Sequence, residues 1–249
     1  MIKQIENMGL SNTVYYIFQA LGILSAVLFG IWYRKKYGLS VKKALAILTG
    51  IFAMVYLWTF AHFWIESGFT GLGTKSILRA LPYLPLMARL PAKYTKQSRQ
   101  EICDFMAPLV TLSTGISLFG CVFAGCCSGY PCSWGIYDVD HRGLAFPVQI
   151  LEAVTLLGIF AFLLWWNRSH HYDGQGTTYP MMLILFGSTR FLWEFARDNE
   201  KIWIGCSGLS FHALFMVVVG CDMLLSIAEK RKKKENTFAK NKKNARRKK

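Results

Sequence analysis

Apolar residues in this sequence gather in blocks of about twenty rather than recurring at amphipathic spacing, and that grouping marks helices that cross a bilayer. A soluble core, which draws its apolar residues into stripes, fits less well. Six blocks are clear, at residues 12–33, 44–65, 104–125, 146–166, 178–195 and 209–228. A seventh, at 76–91, is short, holds Arg79 and is interrupted by Pro82 and Pro85, so it reads either as a kinked span or as a re-entrant segment. The first block is long enough to span and carries its charges on its far side, so it reads as a retained helix rather than a cleaved leader.

Loop charge decides between six and seven crossings, because short cytoplasmic loops collect Lys and Arg. With seven spans and the N-terminus outside, the inner segments 34–43, 89–103, 167–177 and the tail hold twenty-two basic residues. The outer segments hold five: Lys3, Lys75, Arg142, Arg197 and Lys201. Six spans would put a basic loop or the tail on the wrong side. The fold class expected is therefore an all-α polytopic transmembrane bundle of about seven spans, N-terminus outside and C-terminus cytoplasmic. It divides into a membrane domain, 1–228, and a basic, disordered cytoplasmic tail, 229–249. Trp32, Trp64, Trp165, Trp166 and Trp203 lie near the helix ends, as an interfacial belt requires. Of the formal net charge of +15, most belongs to the tail, where twelve Lys or Arg face only Glu229 and Glu235. A basic run directly after an apolar helix suits anionic headgroups at a cytoplasmic flank, and no nucleic-acid partner is needed to explain it. Seven cysteines in so apolar a chain do not make a secreted disulfide scaffold.

Ionisable side chains inside hydrocarbon are costly, so each is a functional candidate unless it pairs or snorkels. In GSTRFLWEFARDNEK, residues 187–201, Arg190, Glu194 and Arg197 recur at helical spacing and share one face. One reading is an Arg190–Glu194 pair that neutralises itself while Arg197 snorkels outward. The other is two guanidiniums presented to a phosphate headgroup. In FPVQILE, residues 146–152, Gln149 and Glu152 lie three apart, with Pro147 starting the helix. Glu152 could handle a proton, or pair with Arg190 and set helix register. Gly120, Gly125 and Gly129 in GCVFAGCCSGYPCSWGIYD, residues 120–138, allow close approach of a helix or lipid and then an external turn. Cys121, Cys126, Cys127 and Cys132 in the same stretch lack the spacing of a zinc site, with only His141 nearby. They read as small buried thiols with one external disulfide at most. His62 with Glu66, and His212, read as structural groups ahead of bases, whereas Arg79 beside two prolines needs a partner or an anion.

GCVFAGCCSG, FPVQILE and FGSTRFLWEFARD, in that order over residues 104–228, resemble three motifs of the prolipoprotein diacylglyceryl transferases: the signature region, HPxQLYE and YGxxRFxxEFxR. The resemblance implies transfer of the diacylglyceryl group of phosphatidylglycerol to the thiol of a lipobox cysteine in a secreted preprotein, with release of glycerol phosphate. It implies catalytic roles for Arg190, Glu194 and Glu152, and substrate binding by Arg197, Gln149, Gly120, Gly125 and Gly129; Arg79 sits near where the family has its HGGL segment and could bind substrate as a replacement cation. The partners implied are phosphatidylglycerol, prolipoprotein signal peptides and membrane lipid, in a bacterial cytoplasmic membrane; no cofactor and no metal are implied. The family's signature arginine is Leu118 here, the histidine of HPxQLYE is Phe146, and no HGGL segment occurs near 75–82. Those departures favour a rival reading, a retasked relative that binds anionic lipid or a membrane partner without transfer. A thiol oxidoreductase built on Cys127 and Cys132 is a third, and their spacing is not CxxC.

Overall fold

Polar residues set the ends of helix α5, Arg99–Ala124, and apolar ones hold it at the centre of the bundle. Ser98 accepts from the Glu101 amide while the Glu101 carboxylate accepts from the Ser98 amide, a reciprocal cap for donors the first turn leaves orphaned. Gly125 ends the helix at φ +66°, a left-handed conformation that glycine adopts without steric cost. Every side chain from Ile102 to Thr111 between those ends is buried.

Around it the computed structural model describes residues 2–66, 68–69, 77–138, 143–169, 176–198 and 207–247. Helix α1 is Ile2–Tyr33, α2 Val41–Glu66, α3 Leu84–Met87, α4 Arg89–Thr95, α6 Val148–Ser169, α7 Thr178–Glu194 and α8 Gly208–Arg247. Lys75, His141, Arg142, Lys201 and Trp203, and the side chains of Lys3 and Glu66, lie outside the described residues.

Among the described residues, five segments are long and apolar enough to cross a membrane: Asn12–Tyr37, Val41–Ile65, Arg99–Ala124, Val148–Arg168 and Gly208–Thr237. The chain is thus a mostly helical, multi-pass membrane protein. The other two expected spans are less regular. Helix α7 has 17 residues, so it is roughly 26 Å long against a hydrocarbon core of about 30 Å. The Pro-interrupted block is a chain of short pieces, the 3₁₀ turns Ile77–Arg79 and Leu81–Tyr83 followed by α3 and α4. Each proline removes an amide donor and blocks the turn before it, so no continuous helix forms there. This segment runs antiparallel to α2. The Trp58 indole donates to the Arg79 carbonyl at 3.3 Å, and Pro91 packs on Gly50.

Two further features depart from expectation. Residues after α5 form a small antiparallel sheet, β1 (Pro131–Asp138) with β2 (Gly143–Ala145), so the all-α expectation is corrected by one hairpin. Helix α8 continues to Arg247, so the basic segment expected as a disordered tail is helical.

Side-chain bonds tie the helix ends into two groups. At one end Asn167 of α6 donates to the Tyr37 hydroxyl at 2.9 Å, and Lys36 donates to the Asn167 carbonyl at 2.6 Å. There too the buried Asp104 of α5 accepts from the Tyr179 amide at 2.8 Å, capping α7. A cavity of about 550 Å³ lined by Gln97, Arg99, Cys103 and Tyr179 opens at this end. At the other end lie the C-termini of α5 and α7 and the N-termini of α1, α6 and α8.

Helices α7 and α8 touch backbone to backbone. A Cβ on Gly187 would sit 2.6 Å from the Ala213 carbonyl oxygen, whereas one on Gly158 of α6 would meet nothing within 4 Å. Gly187→Val is expected to cost about 1–3 kcal/mol by overpacking. Thermal unfolding in detergent checks this: its midpoint falls for Gly187→Val and stays put for Gly158→Val.

Candidate active site

Helix α6 begins at Val148, just after Pro147, so Gln149 and Glu152 occupy its first turns and face the bundle. Glu152 is met there by two arginines. Arg190 Nη1 lies 3.3 Å from each Glu152 carboxylate oxygen, and Arg197 Nη2 donates to Oε2. Arg190 Nη2 also lies 2.8 Å from Glu194 Oε2, one helical turn on. The second Glu194 oxygen accepts from the Ser207 hydroxyl, just before α8. All four charged residues are 2–4% exposed. Both non-catalytic readings of these residues are therefore realised in part: the Arg190–Glu194 pair exists, and Glu152 locks α6 to α7. Arg197, however, does not snorkel.

Its route to the cluster also differs from the expected one. Helix α7 stops at Glu194 and its last turn tightens, with Phe195, Ala196 and Arg197 amides donating three residues back, to Leu192, Trp193 and Glu194. Helical spacing therefore does not carry Arg197. Backbone pairing does: the Tyr130 amide donates to the Ala196 carbonyl at 3.2 Å and the Asp198 amide to the Ser128 carbonyl at 3.1 Å. Gly129 and Arg197 are bridge partners in this pairing.

The same loop is held from α6. Gln149 Nε2 donates to the Cys126 carbonyl and the Ser128 hydroxyl, both at 3.1 Å. Gly129 fits where nothing larger would, since a Cβ there would lie 2.6 Å from the Phe146 carbonyl oxygen and 2.8 Å from that of Ala196. Gly120 faces α1, with the Tyr15 carbonyl 3.0 Å from its would-be Cβ, and Gly125 caps α5. Close backbone approach thus accounts for Gly120 and Gly129, and the left-handed cap for Gly125. The Cys127 thiol lies within hydrogen-bonding reach of Arg197 and of the Cys121 and Cys126 thiols. Among the described residues no three His, Cys, Asp or Glu side chains are arranged to hold a metal ion.

Two guanidiniums and two carboxylates sum to zero, so the resting cluster avoids leaving a buried cation uncompensated. Arg190 Nε is buried and donates to no described group. A phosphate entering here would exchange a carboxylate for a phosphate oxygen at a fork of N–H donors already oriented by the helices.

Other expected residues come from α2, α8 and the turn that follows α2. Arg79 is buried in its 3₁₀ turn beside α2 and α8. His62 and His212 contact each other edge to face, ring centres 5.8 Å apart, and His212 Nδ1 is 3.1 Å from the Gly208 carbonyl. Leu118 packs against the apolar core, and Phe146 lies edge-on to Trp134, so neither position restores a cation. Sequence reasoning did not find Ser207, Ser128 or Asp104. Asp104 had a signal, a carboxylate at the head of an apolar block; the serines had none.

A family model described as prolipoprotein diacylglyceryl transferase matches residues 4–226. The phosphatidylglycerol–prolipoprotein diacylglyceryl transferase 2 of Clostridium perfringens is 27% identical over 142 residues, 54% of this chain and 55% of that protein. The corresponding transferase of Methylobacillus flagellatus is 30% identical over 131 residues, 50% of each chain. That of Dehalococcoides mccartyi is 25% identical over 156 residues, 58% of this chain and 57% of the relative. The chain spans about half the length of the curated relatives it matches.

Proposed function

Because the chain belongs to the prolipoprotein diacylglyceryl transferase family, we propose that it moves the diacylglyceryl group of phosphatidylglycerol onto the cysteine thiol of a prolipoprotein signal peptide, releasing glycerol phosphate. The observation that carries this reading is the buried Arg190–Glu152–Arg197 fork with Glu194 behind it. Arg190 and Arg197 grip the phosphate. Breaking its bond to the glyceryl carbon adds a second negative charge to the departing group, and guanidiniums fixed in a site of low dielectric stabilise that charge more than the singly charged lipid. Glu152 and Glu194 hold the guanidiniums in orientation, while Gln149 and the three glycines shape the loop beside them. Arg79 would meet the headgroup or acyl esters from the side of α2.

The proposed topology has seven crossings with the N-terminus outside. It is supported by the contacts of Tyr37 with Phe105 and of Lys36 with Asn167, which set the five basic residues of loop 34–43 on the same side as the four of 89–103, and it turns the arginine cluster to the outer leaflet of a bacterial cytoplasmic membrane. Residues 1–228 form the membrane domain, and the basic extension beyond enters the cytoplasm. Leu118 and Phe146 favour the second reading, a relative that binds anionic lipid without transfer.

Purified protein in phosphatidylglycerol micelles with a lipobox peptide separates the two. Transfer adds the diacylglyceryl mass to the peptide and releases glycerol phosphate, and Arg190→Ala lowers the rate by about 10²–10³. Lipid bound with no gain in peptide mass would instead establish the retasked relative.

A further inference from the structure

Transfer to a thiol needs a base, and Phe146 cannot be one. The loop after α5 presents a different candidate. Cys127 is exposed and sits at φ +64°, a strained backbone conformation for a residue with a side chain. The strain is maintained from both sides, by Gln149 on the carbonyl of Cys126 and by the Asp198 amide on the carbonyl of Ser128. That conformation brings the Cys127 sulfur to the Arg197 guanidinium and to the thiols of Cys121 and Cys126. The charged or titratable groups facing it are those three, Tyr15 of α1 and, behind Arg197, Glu152. Hydrogen bonds from the Cys121 and Cys126 thiols, with Arg197 beside them, hold Cys127 well below the ordinary thiol range, outweighing the rise that desolvation causes.

We infer that Cys127 is the base that takes the proton from the incoming cysteine thiol. This rests on the transferase reading above. The substrate S–H bond breaks and its proton passes to Cys127 Sγ. The freed substrate thiolate then attacks the glyceryl carbon, forming the C–S bond as the C–O bond to phosphorus breaks with its electron pair on oxygen. Glycerol phosphate departs, and the proton on Cys127 leaves with it or with water. A thiolate held tightly by Arg197 is a weak base. Phosphatidylglycerol on Arg197 changes that, because a second anion beside the sulfur raises its proton affinity. Deprotonation is thereby coupled to the presence of the donor lipid.

The test uses the full chain in detergent, with iodoacetamide alkylation followed residue by residue by mass spectrometry. Cys221, exposed on α8, is the internal reference. Below its pKa an ordinary thiol alkylates about tenfold more slowly for each pH unit. Cys127 is expected to alkylate at a nearly constant rate from pH 8 to about pH 6, and to begin slowing from a higher pH in Arg197→Gln. Phosphatidylglycerol, but not phosphatidylcholine, should move its midpoint upward. In the transfer assay Cys127→Ser loses about 10²–10⁴ in kcat with KM for phosphatidylglycerol unchanged, and Cys221→Ser loses nothing. An alkylation profile matching that of Cys221, or Cys127→Ser active within twofold of wild type, overturns the inference. A wild type that alkylates anomalously yet transfers nothing overturns the transferase reading and the base role with it, leaving only the thiolate.

Discussion

Glu152→Ala is expected to destabilise the protein by about 3–5 kcal/mol, because Arg190 and Arg197 both pair with this carboxylate. Its loss leaves Arg190 with Glu194 alone and takes from Arg197 the carboxylate it is hydrogen-bonded to in a buried site. Transfer activity should fall by at least ~10², since neither guanidinium would keep the orientation a phosphate needs. Thermal unfolding in detergent reads the first effect and the peptide assay the second. A double replacement, Glu152→Leu with Arg197→Met, removes both charges and should recover most of the stability and none of the activity. If Glu152→Ala unfolds at the wild-type temperature, the fork does not hold α6 to the end of α7.

Gly129→Val should damage function with a smaller loss of stability. Its side chain would press on the Phe146 and Ala196 carbonyls at once, and both belong to backbone that fixes site residues. Moving Ala196 moves Arg197, and moving Phe146 moves the start of α6 with Gln149. A displacement of about 1 Å at the reacting groups can cost 10²-fold in rate. Transfer is therefore expected to drop by about that factor while the protein remains monodisperse and binds phosphatidylglycerol more weakly. Wild-type turnover in Gly129→Val would mean that the 128–130 pairing with 196–198 does not position Arg197.

How much of this was legible beforehand depends on the range of the interactions involved. Gln149 with Glu152, and Arg190 with Glu194, were readable as pairs because a helix puts residues three and four apart on one face. Helical spacing groups Arg197 with them too, but that spacing is not what holds it there. The helix ends three residues earlier, and its position depends on amides and carbonyls of Ser128 and Tyr130, which carry no side-chain signature. Ser207 was invisible for the same cause: a serine before a helix looks like any other cap until Glu194 is found against it.

That this chain is a helical, multi-pass membrane protein follows from the order of its residues alone, because block length and loop charge are local properties that hydrocarbon and headgroups read directly. The same order also determined which ionisable groups must be satisfied inside. How they are satisfied was settled by the packing of the folded chain. It put Glu152 between two arginines from a helix and a loop, set the two histidines edge to face, and turned the Cys127 thiol toward Arg197. Those outcomes follow from contacts between segments tens of residues apart, where close glycine approach and backbone pairing set the geometry and no spacing rule along the chain can express it.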